Sequence, residues 1–196
     1  MPHAVRIIGI DPGLNRTGFG VIEARGDHLS CLRAGVIRVP TGDLGERLGF
    51  ILHELGAVIR DTRPARASVE KVFVNVNPQS TLLLGQARGA AICAAVAAGL
   101  PVHEYTPAEV KQAVVGSGRA TKEQVQLMMM RLLALAEPPQ ADAADALACA
   151  VCNAHSSRLM TVLDLPHGAV RSGKAAGRTR GSGARRAWTT KLGGAQ

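Results

Sequence analysis

The stretch VRIIGIDPGLNRTGFGVIEARG, residues 5–26, decides the fold because it opens with an apolar run that stops on a charge. Residues 5–10 have the composition of a buried strand, and Asp11 is followed at once by Pro12 and Gly13. Asp and Pro are favoured at the first two positions of a β-turn, so Asp11 taken alone is a turn former. A charge at the end of a buried strand also leaves open a ligand at the edge of a sheet.

The segments that follow predict strands and then alternating helices. Three β-rich runs joined by short turns with Gly, Asp or Asn indicate an antiparallel meander, and later segments with helical spacing indicate helices. The predicted strands are 5–11, 18–24, 29–39, 66–74 and 102–107, and the predicted helices are 43–64, 78–99, 107–116, 121–137 and 141–159. This order predicts an α/β protein with a mixed sheet and helices on its faces.

The net charge of +8 is distributed unevenly along the 196 residues. Residues 156–196 contribute +7 and residues 1–155 contribute +1. Beyond about Leu165 the chain is rich in Gly, Ala, Ser and Arg, and such a segment buries too little apolar surface to order itself. We therefore predict one folded domain over residues 1–160 and a basic, disordered tail over 161–196. The tail either tethers the protein to nucleic acid or only adds solubility.

Four cysteines lie inside apolar segments: Cys31, Cys93, Cys149 and Cys152. This placement indicates reduced core thiols in a reducing compartment. The last two form a C-x-x-C near His155, but no second Cys/His pair has zinc spacing, so packing is favoured over a metal or redox role. No basic n-region opens the chain, and the most apolar stretch is short and alanine-rich. We therefore expect a cytoplasmic protein without a membrane segment.

Three further carboxylates stand in apolar surroundings. Glu70 interrupts a buried-looking strand, where an unpaired charge is costly, although protection of a sheet edge is an alternative. Asp142 and Asp145 lie three residues apart, so they project from one face of the last predicted helix. The positive end of the helix dipole accounts for acids there, yet two like charges side by side repel. A cation would resolve this conflict.

These acids could converge with Asp11 if the first and fourth strands are neighbours. Carboxylate oxygens suit Mg²⁺ or Mn²⁺, and two such ions can activate a water and stabilise the leaving oxygen of a phosphodiester. The sequence contains no P-loop, no serine-hydrolase elbow and no zinc-ligand set. The sequence therefore favours metal-assisted phosphoryl hydrolysis.

Several segments resemble the bacterial Holliday-junction resolvases of the RuvC family. The likeness extends over about residues 5–158 and is carried by GIDPGLNRTGFGVI, VEKVF, LGQARGAA, YTPAEVKQAVVGSGRATKEQV and PQADAADALACAVCNAH. It implies an RNase H-like fold with a mixed five-stranded sheet whose third, second and first strands run antiparallel. It also implies a homodimer that nicks two strands of like polarity at a four-way DNA junction and leaves 5′-phosphate and 3′-hydroxyl ends. RuvA and RuvB are the partners expected from the family.

The resemblance further implies roles for single residues. The catalytic acids, which would also hold two Mg²⁺ ions (or Mn²⁺) per subunit, are Asp11, Glu70, Asp142 and Asp145. The DNA-binding residues are Phe73, Lys111, Arg119 and Lys122. Phe73 would stack on an unpaired base at the crossover, whereas from the residues alone it would be a core side chain. Leu84 stands where relatives often carry a basic residue, so one phosphate contact is expected to be missing.

Three alternatives stay open at this point. A D-x-G followed by a glycine-bearing hairpin also opens actin-like and sugar-kinase ATPases, although those proteins need two such domains. Another nuclease of the same fold, such as the shorter YqgF-type RNA-processing relatives, is disfavoured by the QARGAA and DAADALACA blocks. A non-catalytic junction-binding protein has no support in the sequence, because all four acids are present.

Overall fold

The strand that ends on Asp11 lies at the centre of a five-stranded sheet. The computed structural model describes residues 3–71 and 77–162. The strands are β1 (Val5–Asp11), β2 (Arg16–Arg25), β3 (His28–Arg38), β4 (Arg66–Glu70) and β5 (Val102–Tyr105). Their order is β3-β2-β1-β4-β5, in which β1, β2 and β3 are antiparallel and β4 is parallel to β1 and β5. The predicted mixed sheet and its antiparallel meander are confirmed.

Helices cover both faces of this sheet. They are α1 (Leu44–Thr62), α2 (Pro78–Ala97), α3 (Pro107–Val115), α4 (Lys122–Leu132) and α5 (Ala141–Val162). One hydrophobic cluster joins the sheet to α1 and α2, and the other joins it to α3, α4 and α5. In the described part of the chain the elements follow the predicted order, so the α/β class with helices on both faces is confirmed.

Alternation along β1 divides the core into these two layers. Ile8 and Ile10 belong to the cluster under α1 and α2, whereas Ile7 belongs to the cluster under α5. Successive side chains of a strand point to opposite faces, so a strand covered on both faces is apolar at consecutive positions, as β1 is at residues 7–10. The apolar run before Asp11 is therefore the sequence of a central strand, and Asp11 stands where its full burial ends.

Two glycines allow α5 to approach the sheet closely. A side chain at Gly9 would overlap the carbonyl oxygen of Ala146, and one at Gly18 would overlap the backbone carbonyl of Asp142. Glycine inside a strand often marks such a close approach of another backbone. The glycines of β1 and β2 therefore determine how near α5, with its two aspartates, lies to the sheet.

Several bounds differ from the prediction. β2 begins at Arg16, because its pairing with β3 extends to Arg38. α4 ends at Leu132, five residues before the predicted end, and Ala134 has a left-handed φ of 49° that a helix cannot contain. β4 ends at Glu70, and the remainder of the predicted strand, residues 72–74, lies outside the described residues.

Cys149 and Cys152 are buried as predicted, but Cys93 is exposed, so the prediction of four core thiols is wrong for that residue. Burial raises the pKa of the Cys152 thiol to about 12, which keeps it protonated and agrees with a packing role. α5 extends to Val162, and the predicted basic tail lies outside the described residues from position 163 onward.

One side of α2 packs against the sheet, and another apolar side of this helix is exposed. Ala87 and Ala91 are fully buried, whereas Leu82 is 64% exposed and Val96 is 59% exposed. By length and composition this 20-residue helix could cross a membrane, contrary to the expectation from sequence, although core helices of soluble proteins pass the same test. Only 22% of its most apolar window is buried. An exposed apolar side of this kind is typical of an interaction surface.

Candidate active site

Asp11 is the last residue of β1, and the connection after it is fixed by hydrogen bonds. The Gly13 backbone N–H donates to Oγ1 of Thr17 at 3.3 Å, and the Thr17 hydroxyl donates to the Gly13 carbonyl at 2.8 Å. From α1, Arg47 donates to the carbonyl of Leu14 at 3.0 Å. The chain reverses direction within residues 12–15, as its turn chemistry predicts, and this leaves the half-buried carboxylate at the edge of the sheet.

Glu70 is the last residue of β4, the parallel neighbour of β1. The pairing of Ile10 with Val69 places Asp11 and Glu70 each one residue further along adjacent strands. Because parallel strands end at the same edge of a sheet, both carboxylates stand at one edge. Glu70 is also half-buried, and on its other side it pairs with Tyr105 of β5. The predicted proximity of the first and fourth strands is confirmed.

Asp142 and Asp145 reach the same edge from α5. Gly18, against which the backbone of Asp142 lies, is the partner of Asp11 in the β1–β2 ladder. The side chains of the two aspartates are 30% and 31% exposed. The helix begins at Ala141, so both acids lie in its first turns, where the helix dipole favours negative charge.

Burial and neighbouring charges raise the pKa values of the two acids on the sheet, Asp11 and Glu70. The pKa of Asp11 is raised from 3.8 to about 7, first by burial and then by the charges of Asp145, Glu70 and Asp142. Burial followed by the charge of Asp145 also raises the pKa of Glu70. Lys122 opposes the rise in both pKa values. The four acids repel each other at one edge of the sheet, and a bound cation would relieve this repulsion.

The acids face an open cleft with lysines beside it. Asp11, Glu70 and Asp145 line this cleft, which has a volume of about 400 Å³. Lys122, at the start of α4, places its Nζ 3.3 Å from Oδ2 of Asp145. Lys111, on α3, is close enough to lower the pKa of Glu70. Two of the predicted DNA-binding residues therefore lie near the acids.

The other two predicted DNA-binding residues do not join this group. Arg119 is exposed in the loop between α3 and α4, and in the described part of the chain it makes no ion pair with the acids. Phe73 lies outside the described residues. Leu84, where a basic side chain was expected from relatives, lines the cleft.

Two of the acids are paired with cations. Nε of Arg16, the first residue of β2, lies 2.7 Å from Oδ2 of Asp142, and Lys122 pairs with Asp145 as described above. The contact with Arg16 lacks hydrogen-bond geometry, so this buried oxygen of Asp142 accepts no hydrogen bond among the described residues. Within residues 3–71 and 77–162 no three His, Cys, Asp or Glu side chains are gathered closely enough to hold a metal ion.

The donor chemistry nevertheless fits a hard divalent cation. The four acids supply only carboxylate oxygens, which Mg²⁺ and Mn²⁺ prefer, and their repulsion at one edge favours added positive charge. A buried carboxylate oxygen without a hydrogen bond is also a group that a ligand would satisfy. Side-chain movement would be needed to bring the oxygens together around one ion.

Sequence reasoning missed two arginines near the site. One is Arg16, which the motif GIDPGLNRTG contains but which has no role in the predictions. The other is Arg88 of α2, whose Nε donates to the carbonyl of Glu70 at 3.2 Å and which also forms an ion pair with Glu104 of β5. The QARG segment was the available signal for Arg88, because a mostly apolar helix rarely carries a charge without a partner.

Acids stand at the ends of two adjacent parallel strands and on the helix that covers them. Together with the strand order, this arrangement defines an RNase H-like nuclease domain. The family described as "Crossover junction endodeoxyribonuclease RuvC" matches residues 7–153, a span that contains all four acids. The chain belongs to this RuvC family. The resemblance seen in the sequence is thereby confirmed, and the actin-like ATPase and YqgF-type alternatives are set aside.

Relatives and solved structures agree with this assignment. The RuvC protein of Burkholderia orbicola is 60% identical over 159 residues, covering 81% of this chain and 88% of the relative. The structure of Thermus thermophilus RuvC has a TM-score of 0.73 at 37% identity and covers 80% of this chain and 98% of that one. A structure of T. thermophilus RuvC in complex with a Holliday junction substrate has a TM-score of 0.76, also at 37% identity, with coverages of 80% and 97%.

Proposed function

We propose that this chain resolves four-way DNA junctions by hydrolysing one phosphodiester in each of two strands of like polarity, with four acids as the catalytic and metal-binding residues. The acids are Asp11, Glu70, Asp142 and Asp145. The observation that carries the proposal is their convergence: three separate parts of the chain bring them to one sheet edge, where burial and then the charges of the other three acids raise the pKa of Asp11 to about 7. The products are nicks with 5′-phosphate and 3′-hydroxyl ends, made during recombination and repair in the cytoplasm.

The RuvC family consists of metal-dependent nucleases, and we assign Mg²⁺, two ions per subunit, to these carboxylates. When bound, the ions supply Lewis-acid activation of a water and compensate the charge on the leaving oxygen. Asp11 and Glu70 offer oxygens from the sheet, while Asp142 and Asp145 offer them from α5. The backbone of Asp142 packs against Gly18, so the main chain of α5 is fixed beside the end of β1, and only side-chain movement separates the carboxylates from a phosphodiester in the cleft.

The lysines next to the acids support a DNA contact at this cleft. Lys122 is 70% exposed and Lys111 half-exposed, so both can reach a phosphate beside the acids. Arg119 adds positive charge in the loop between α3 and α4. Stacking of Phe73 on an unpaired base remains a proposal that rests on family membership alone.

A homodimer is the second part of the proposal, since paired nicks need two sites. The uncovered side of α2, formed by Leu82, Gly85, Gly89 and Val96, supports it, because a second copy of the chain would cover this apolar strip. Leu82→Arg is expected to shift the protein toward monomer in sedimentation velocity, and a stable dimer of this variant would place the interface elsewhere. Family membership supports RuvA and RuvB as further partners.

The main experiment compares nicking of a labelled synthetic four-way junction, a duplex and a single strand, with Mg²⁺ or with EDTA. The wild-type protein is expected to cut only the junction, and only with Mg²⁺. Asp142→Asn should abolish nicking while junction binding in EDTA persists. Asp61→Asn is the matched control, because it makes the same change at an acid of α1 whose side chain is 65% exposed, and it should retain activity. An active Asp142→Asn enzyme would contradict the assignment.

A further inference from the structure

Among the residues that the structure describes, Arg16 forms the shortest ion pair with any of the four acids. It opens β2, directly after the loop that follows Asp11, and its Nε lies 2.7 Å from Oδ2 of Asp142. The Arg16 side chain is 53% exposed, while the oxygen that it approaches is buried. A half-exposed cation therefore covers a buried oxygen of a residue assigned to metal binding.

This oxygen has few other partners. It accepts no hydrogen bond among the described residues, so the charge of Arg16 is its main compensation. A buried carboxylate oxygen without such compensation would be costly. A divalent cation bound to the same oxygen would bring two positive groups within a few ångströms, where they repel strongly. Arg16 and the cation therefore cannot both occupy this position.

We infer that Arg16 and the divalent cation are alternative partners of Asp142, and that the cation displaces the guanidinium toward the DNA backbone. The inference rests on the proposed function, because it takes Asp142 as a metal ligand. In the metal-free protein Arg16 acts as a positioning residue that holds this carboxylate. After displacement, its planar guanidinium is suited to a backbone phosphate of the DNA, which it can contact through two N–H groups.

The ion pair differs from the surface pairs of the same protein. In the pair of Arg33 with Asp61 the two side chains are 48% and 65% exposed, so water contacts both charged groups. At the active site the acid is 30% exposed and belongs to a group of mutually repelling carboxylates. Exchange of its partner therefore changes the electrostatics of the reaction centre and not only of the surface.

The first test measures Mn²⁺ binding to the DNA-free protein by electron paramagnetic resonance, which counts free Mn²⁺ and requires no activity. Arg16→Met removes the competing partner and should tighten Mn²⁺ binding by about two- to fivefold, the range expected for a partly exposed ion pair. Arg16→Lys retains a competing cation and should stay closer to the wild-type affinity than to that of Arg16→Met.

Loss of any nearby positive charge would also favour cation binding, and Lys71→Met controls for this effect. Lys71 lines the same cleft and, among the described residues, forms no ion pair. Its removal therefore reports the change in charge without the loss of a pair. Equal tightening in Lys71→Met and Arg16→Met would overturn the inference.

Asp142→Asn separates this inference from the proposed function. If Asp142→Asn leaves Mn²⁺ affinity unchanged, Asp142 is no ligand and the proposed site itself fails. If Asp142→Asn weakens binding but Arg16→Met has no greater effect than Lys71→Met, the site stands and only the competition is refuted. Thermal unfolding of each variant in EDTA confirms that the compared proteins are folded.

The second test measures junction binding against salt concentration, in EDTA and in Ca²⁺. One phosphate contact contributes about 0.9 to the slope of log K against log salt. Arg16→Met should therefore reduce the slope by about 0.9 in Ca²⁺, where the guanidinium has been displaced, and by clearly less in EDTA. The same reduction under both conditions would show that Arg16 reaches the phosphate without displacement, and would refute the exchange.

Discussion

Replacement of Asp11 by Asn should make the metal-free protein more stable at pH 8 than the wild type, and the gain should shrink as the pH falls. The pKa of Asp11 is raised from 3.8 to about 7, with burial as the largest cause and the charges of Asp145, Glu70 and Asp142 after it. Ionisation of Asp11 therefore works against the fold, and Asn removes that ionisation.

The sign and size follow from proton linkage. Between pH 3.8 and about pH 7 the native state keeps a proton on Asp11 that the unfolded chain has already lost, so the free energy of unfolding falls as the pH rises. Each pH unit in this window is worth about 1.4 kcal/mol, so the full loss above pH 7 is about 4 kcal/mol at most. Between pH 5 and pH 8 we expect a relative gain for Asp11→Asn of about 2–3 kcal/mol.

Urea unfolding in EDTA, followed by circular dichroism at a series of pH values, measures this difference. Asp61→Asn, at an exposed acid, is the control and should show a difference that is independent of pH. A constant difference between Asp11→Asn and wild type from pH 5 to pH 8 would refute the reasoning. So would a wild-type protein that is the more stable of the two at pH 8.

Four further predictions concern substitutions outside the four acids. Arg88→Met should lower kcat by about tenfold or more, because the backbone of Glu70 loses a hydrogen bond that positions it. The Kd for the junction should stay within about twofold, and an equally large loss of junction affinity would argue for a DNA contact instead. Gly9→Ala should lower the free energy of unfolding by about 2 kcal/mol or more, since its Cβ would push α5 away from the sheet. Gly49→Ala, at an exposed position of α1 with open space around it, should instead raise stability by about 0.5–1 kcal/mol. Asp43→Ala removes the capping box of α1 and should cost about 1 kcal/mol, seen as a lower melting temperature with unchanged nicking.

Local signals in the sequence were sufficient for most of the architecture. The continuous apolar run before Asp11 predicted a strand covered on both faces, and the helical spacing after residue 43 predicted α1 with its apolar side on the sheet. The predicted start of the fourth helix at Thr121 agrees with the structure, in which Thr121 caps α4 and forms a capping box with Gln124. The end of α4 was wrong by five residues, because the apolar pattern continues beyond the left-handed turn at Ala134.

The candidate site could be predicted residue by residue but not as a set of contacts. Each acid was conspicuous because its neighbours are apolar, and the family resemblance assigned a role to each one. Pairing between distant segments is not encoded locally, so Arg16 and Arg88 passed unnoticed although both lie within quoted motifs. Their partners, Asp142 and Glu104, are far away in sequence and become neighbours only in the folded chain.

The sequence by itself therefore determined the order of elements, the four acids and the membership of a nuclease family. Periodicity and turn chemistry are local properties of the chain, so they can be recognised without knowledge of the fold. Only the tertiary structure decided that α5 packs against Gly18, the β-ladder partner of Asp11. It also decided that burial and repulsion raise the pKa of Asp11 and that Arg16 pairs with Asp142. Burial and charge coupling depend on distances between remote residues, and those distances exist only after the sheet and α5 have packed together.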